Sequence, residues 1–221
     1  MATDSKEIIK KLMMKWISVP ITFGVVCCSG AIDNLPENFD LKKADNILLK
    51  DYGQMAVYLG VYSGIIGGLC SDKLSNVVSF IIAAVLALVT FIPLSFLTES
   101  TGTGAMVGIL FLFFLAGVAS SISVLTAVVS VVRNFDAGRS AILLVGLSLC
   151  YDKLCPNMDH SFHEGFFKDA SKQLYLIVVG LVLFLTFMVA AFAMTKVELG
   201  KILDAVSEGL DGTGVMIFVI S

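Results

Sequence analysis

Twenty-eight consecutive residues, Ala105 to Val132, contain no charged side chain. About 20 apolar residues span the hydrocarbon core of a bilayer as a helix, so this run reads as a transmembrane helix that tilts or extends past the membrane. Val77 to Leu97 and Leu174 to Met194, each of 21 residues, have the same character. The remainder of the chain agrees with them. Apolar residues make up 57% of its 221 positions and charged residues 15%, against about a quarter charged in soluble domains, and mean hydropathy is +0.92. That excess has to face lipid. The length accommodates five or six crossings with short loops and no sizeable soluble domain. The expected fold is an all-α, polytopic membrane helical bundle of about six transmembrane helices occupying residues 16–194.

The other three spans are less plain. Residues 1–15 form a polar head with four lysines, read as a cytosolic N-terminal segment. Trp16 to Ala31 is just long enough to cross when a snorkelling Lys15 is counted. A cleaved signal peptide is the rival reading, because Cys28-Ser29-Gly30-Ala31 supplies small residues after an apolar core. Residues 32–52, with Pro36 and acidic side chains that include Asp33, Glu37, Asp40 and Asp45, read as a loop with one short helix. Met55 to Cys70 is the second span. Its Gly60, Gly64 and Gly68 recur every four residues, which sets three glycines on one helical face and admits a neighbouring helix at close range. Ala141 to Tyr151 is only 11 residues, short for a crossing and open to a re-entrant or interfacial reading. A polar loop, 152–172, holds both histidines. The C-terminal segment, 195–221, carries an amphipathic stretch from Val197 to Leu210 and an apolar tail whose abrupt stop keeps a truncated product among the readings.

Lysine and arginine distribution gives an orientation. With six spans and a cytosolic N-terminus, nine of the fifteen basic residues fall inside, among them Lys73, Arg133 and Arg139 in short loops, where the positive-inside rule holds best. The expected localisation is therefore an integral, multi-pass membrane protein with its N-terminus in the cytosol. A formal charge of -3 and the lack of a basic run interleaved with aromatics exclude a nucleic-acid partner. The bilayer itself is the first partner.

Little in the chain points to catalysis. Nucleophile elbows, phosphate-binding glycine loops and paired carboxylates in a membrane cavity are missing, so neither an enzyme nor a cofactor is expected. Cys150, Cys155, Asp159, His160, His163 and Glu164 share one loop, but their spacing fits no standard zinc pattern, and no metal site is expected. The five cysteines do not form a disulfide framework; a Cys150 to Cys155 bridge is the one pairing considered, with buried or loop thiols the simpler reading. The spans lack Asp, Glu, Lys, Arg and His at bilayer depth, which removes the usual mark of a proton relay. Candidates to line a substrate path are Tyr58 and Tyr62, four apart on one face of the second span, and Ser120 with Ser121, Ser123 and Thr126 on the fourth. Each has a plainer role available, as an interfacial tyrosine or as a hydroxyl bonding its own helix backbone.

The turn Gly68-Leu69-Cys70-Ser71-Asp72-Lys73-Leu74-Ser75-Asn76 joins two helices through an acid and a base. It resembles the signature turn of the major facilitator superfamily, matching at Gly68, Asp72 and Lys73 and lacking the later glycine and arginines. Gly117 to Ser148 resembles the nodulin-like branch of that superfamily, matching at Asn134, Phe135 and Arg139, with Asp136 in place of a proline, Ser140 in place of a glycine, and Gly146-Leu147-Ser148 a few residues earlier than that pattern has it. The resemblance covers Trp16 to Met194 as one N-terminal six-helix half of a twelve-helix transporter. It implies alternating-access movement of a small organic solute or ion, and a cytosolic gating ion pair drawn from Asp72, Lys73, Arg133 and Arg139. It also implies a second transporter half or a homodimer as partner. The competing expectation is a multispan scaffold or accessory subunit that pairs with other helices through the glycine face of the second span.

Overall fold

The computed structural model describes residues 2–33, 35–38, 46–64, 74–97, 103–134, 142, 145–146 and 172–211. Among these residues, six helices follow in chain order: α1 (Ala2–Asp33), α2 (Leu35–Asn38), α3 (Asn46–Tyr62), α4 (Asn76–Leu97), α5 (Thr103–Asn134) and α6 (Lys172–Asp211). Among the described residues there is no strand. Among the described residues, three helical stretches are long and apolar enough to cross a bilayer: Asn76–Leu97, Gly104–Arg133 and Gln173–Met194. The chain is thus an all-α protein compatible with an integral membrane protein. Trp16–Gly30 is a shorter apolar stretch within α1, and the segment 141–151 lies outside the described residues except at 142, 145 and 146.

Two boundaries differ from the sequence reading. The polar head is helical from Ala2 and continuous with the first span, because Ala, Lys, Glu, Leu and Met are strong helix formers whatever their polarity. In the region 32–52, α2 is the short helix allowed for there, but α3 begins at Asn46, nine residues before the apolar run at Met55. Lys50, Asp51 and Gln54 break the run of hydropathy without breaking the helix, since Asp51 is exposed on an outward face. Pro20 and Pro93 sit inside α1 and α4, an arrangement that membrane helices tolerate because neighbours satisfy the freed carbonyl.

α4 shows how the sequence sets the packing. Ser75 caps it, its side-chain oxygen accepting from the Val78 amide at 3.3 Å while its carbonyl accepts the Ser79 amide at 3.1 Å. Residues 76, 79, 80, 83, 84, 87, 90, 91, 94 and 95 are buried, a stripe of helical period. At 22 residues the helix is about 33 Å long, enough for the hydrocarbon core.

α5 is the hub of the bundle, with α1, α3 and α4 against it, and α6 closes the far side by packing on α4 and α1. Phe80, Phe91, Phe113 and Phe187 are the largest fully buried side chains. Lipid offers no hydrophobic drive between apolar helices, so close backbone approach and interhelical hydrogen bonds have to hold the pairs. Both are present. At the α1–α5 seam the Ser29 and Ser123 hydroxyls lie 2.9 Å apart, and the Ser123 proton is donated to the Ser120 carbonyl at 2.9 Å, which makes Ser29 the donor between them. Thr22 donates to the Ser18 carbonyl at 2.8 Å and lies 3.4 Å from the Ala127 carbonyl across the seam.

Cys27 is disulfide-bonded and Cys28 is a free thiol. The sequence reading considered a bridge only between Cys150 and Cys155; with Cys28 free, the cysteines left to pair with Cys27 are Cys70, Cys150 and Cys155, each outside the described residues. Non-reducing peptide mapping is expected to recover the Cys27 peptide linked to one of those three; recovery of Cys27 only as an alkylated monomer would contradict the bond.

Candidate functional site

Two places bring sequence-predicted residues into view, the helix ends at α4 and α5 and the faces of α3. Arg133 closes α5, and its Nη1 donates to Asn76 Oδ1 at 3.4 Å. Asn76 is the first residue of α4 and only 6% exposed. The guanidinium thereby reaches the first residue of α4, four residues in sequence from Asp72. Asp72, Lys73, Arg139 and Gly68 lie outside the described residues. A cation beside the C-terminal carbonyls of its helix is favoured by the helix dipole, so Arg133 is also electrostatically suited to its own position.

The inner face of α3 is a glycine surface against α5. A Cβ placed on Gly60 would meet the Phe114 carbonyl oxygen and would stand 2.9 Å from Gly117 Cα and from the Val118 nitrogen. The contact is reciprocal. A Cβ on Gly117 would meet the Val57 carbonyl oxygen and stand 3.0 Å from Gly60 Cα and from the Val61 nitrogen. Gly64 has Ser121 Oγ at 3.1 Å from its Cβ position, and Gly53 has the Phe113 ring at 2.8 Å. Gly53 and Gly117 were not singled out from the sequence. The signal was there in part, since Gly117 and Ser121 form a small-xxx-small pair on α5.

The outer face of α3 is different in chemistry. Tyr58 is 46% and Tyr62 80% exposed. Gln54 Nε2 donates to the Tyr58 hydroxyl at 3.1 Å, one helical turn away. A wide-open depression lies along this face, and the described residues that line it, Asp51, Gln54, Met55, Tyr58, Leu59 and Tyr62, all belong to α3.

Ser120 does not join the tyrosines. It is 4% exposed within α5, where its carbonyl accepts from Ser123. Ser121 is buried beside Gly64. Ser130 donates to the Thr126 carbonyl at 2.7 Å, and Thr126 Oγ1 is buried with no hydrogen-bond partner among the described residues. Ser123 and Ser130 therefore serve the backbone of α5, and Ser123 also serves the α1 seam. No group of three metal-ligating side chains occurs among the described residues, and the histidine loop lies outside them. No protein-family model, curated protein or solved structure matches the chain.

Proposed function

We propose that this chain is a six-span transporter half that moves a small organic solute by alternating access, with the ends of α4 and α5 as its cytosolic gate. The observation that supports this reading is the reach of Arg133 to Asn76, which sets the basic residue of α5 against the first residue of α4, four positions in sequence after Asp72. Ion pairs and polar contacts at helix ends bias which side of a rocking bundle is open, because each is made in one arrangement and broken in the other. The six-span count, the cytosolic N-terminus and a second half or second copy belong to the same proposal.

A scaffold that recruits other helices through the glycine face of α3 is less well supported. Gly60 and Gly64 are already in contact with α5 of the same chain, which leaves that part of the face unavailable to a partner.

The test is uptake of a panel of radiolabelled small solutes into proteoliposomes. Arg133 is exposed, so its contacts are worth about 0.2 to 1 kcal/mol, and Arg133→Gln is expected to change the uptake rate by about 1.4- to fivefold. Asp72→Asn is expected to act in the same direction. Unchanged uptake in both variants would remove the gate, and crosslinking in membranes that captures only monomer would count against the paired halves.

A further inference from the structure

The contacts between helices fix the direction of each. Thr22 of α1 faces the Ala127 carbonyl and Ser29 faces Ser123, so α1 runs antiparallel to α5. Asn76 meets Arg133 and Leu97 meets Gly108, so α4 is antiparallel to α5 as well. α6 touches Phe91 of α4 through Gly180, and Cys28 of α1 through Thr186. Phe91, six residues before Leu97, lies toward the Gly108 end of the bundle, whereas Cys28 adjoins Ser29 at the depth of Ser123. From Gly180 to Thr186, α6 therefore advances in the same direction as α5. Asn134, the last residue of α5, and Lys172, the first of α6, stand at opposite ends of the bundle. α1 carries the second observation, because three consecutive residues point three ways. Ser29 faces α5 and Cys28 donates to Thr186 of α6 at 3.6 Å. Cys27, at about 100° per residue, lies about 160° around the helix from Ser29 and so faces away from α5. It is disulfide-bonded there, and a disulfide holds two Cα atoms within about 7 Å of each other. The outer face of α1 is thus covered by whichever segment carries the second sulfur.

We infer that the partner of Cys27 is Cys150, carried on a bilayer crossing between Asn134 and Lys172 that packs on the outer face of α1. The 37 residues from Phe135 to Ser171 start at one end of the bundle and finish at the other, which gives them both the length and the need to cross. Depth selects Cys150. Cys27, two residues from Ser29, is level with about residue 125 of α5, which is about 12 Å along the axis from Arg133. The apolar run beyond the charged turn starts at Ala141, and Cys150 lies nine residues, about 14 Å, along it as a helix. Cys155 would lie about 21 Å along, and Asp152 and Lys153 part it from the run with charges that hydrocarbon disfavours. Cys70 is on the wrong side. It follows Gly64, whose neighbour Ser121 is about 160° around α5 from Ser123, and it precedes Ser75 at the start of α4. To meet Cys27 that stretch would have to pass around α1 at bilayer depth and return, and lipid does not admit irregular backbone there. The inference shares the six-span count of the transporter reading but does not need the movement of a solute.

The test uses the full chain in membranes, with free thiols blocked by N-ethylmaleimide before solubilisation, then digestion without reduction and mass spectrometry. The Cys27 peptide is expected to be linked to the Cys150 peptide, with Cys70 and Cys155 alkylated. Cys150→Ser should open Cys27 to alkylation, whereas Cys70→Ser and Cys155→Ser should keep the bond. The crossing has its own readout. In oriented vesicles, a membrane-impermeant maleimide should label Ala137→Cys from the cytosolic side and Ser161→Cys from the opposite side, each followed on the peptide that carries it. A Cys27 link to Cys70 or to Cys155, an alkylated Cys27 in the parent, or labelling of both substituted positions from one side would each overturn the proposal. Transport fails separately: a protein that moves no solute in proteoliposomes but shows the Cys27 to Cys150 link and opposite-sided labelling keeps this inference and loses the other.

Discussion

Gly60→Ala is expected to lower the stability of the bundle, and Gly60→Leu to separate α3 from α5. Two effects of opposite sign compete. Alanine in a helix interior gains about 1 kcal/mol over glycine from intrinsic propensity, so at an open position the exchange stabilises. At Gly60 the added Cβ meets the Phe114 carbonyl and comes within 2.9 Å of Gly117 Cα and the Val118 nitrogen. These are backbone atoms with no rotamer to change, so the helices themselves must part. Overpacking of this sort costs about 1 to 3 kcal/mol and more for a larger side chain, which outweighs the propensity gain. Gly24 is the internal control, because nothing lies within 4 Å of its Cβ position. In detergent, thermal unfolding should move down for Gly60→Ala, further down for Gly60→Leu, and slightly up for Gly24→Ala. A rise for both alanine variants would mean that α3 does not touch α5 as described.

The second large effect belongs to Phe91 on α4, which is fully buried where α4 meets α6. Truncating a buried phenylalanine to alanine costs about 3 to 5 kcal/mol through lost contacts and the cavity left behind. Its neighbour across the interface, Gly180, would place a Cβ 2.6 Å from the Phe91 Cβ and 3.3 Å from the Cγ. The nearest atom is the Cβ, which alanine at 91 retains. Phe91→Ala is therefore not expected to rescue Gly180→Ala, and the double variant should be less stable than either single one. Recovery of the Phe91→Ala melting point in the double variant would show that the ring, and not the backbone separation, sets the α4–α6 distance.

The apolar helices were legible in the chain because a long uncharged run has few other physical solutions. The starts of α1 and α3 were not. Lys50, Asp51 and Gln54 lower hydropathy while remaining good helix positions, so a rule that follows apolar runs begins α3 at Met55 and misses Asn46 to Gln54. Close approach by α3 is written in the spacing of Gly60 and Gly64, but that α5 is the neighbour, and Gly117 the reciprocal contact, depends on tertiary packing that spacing does not specify. Similarly, Tyr58 and Tyr62 could be placed on one face from their separation, whereas their outward direction and the depression beside them could not. Ser120 illustrates the limit from the other side. A hydroxyl in an apolar run has the chemistry to line a path, yet here it is buried while its own carbonyl accepts from Ser123. The Cys27 bond was beyond the sequence because disulfide connectivity does not follow from spacing.

Alternating access is tested most directly at Tyr62, without knowledge of the solute. A Tyr62→Cys variant in oriented membrane vesicles, treated with a membrane-impermeant maleimide from one side and then the other, can be followed by mass spectrometry of the peptide that carries the substituted position. The native cysteines then do not enter the readout. An outward face on a transport path predicts labelling from the extracytosolic side, with cytosolic labelling that increases when Asp72→Asn weakens the gate. Labelling from neither side, as for a residue facing lipid, or labelling from one side at a rate that Asp72→Asn leaves unchanged, would contradict it.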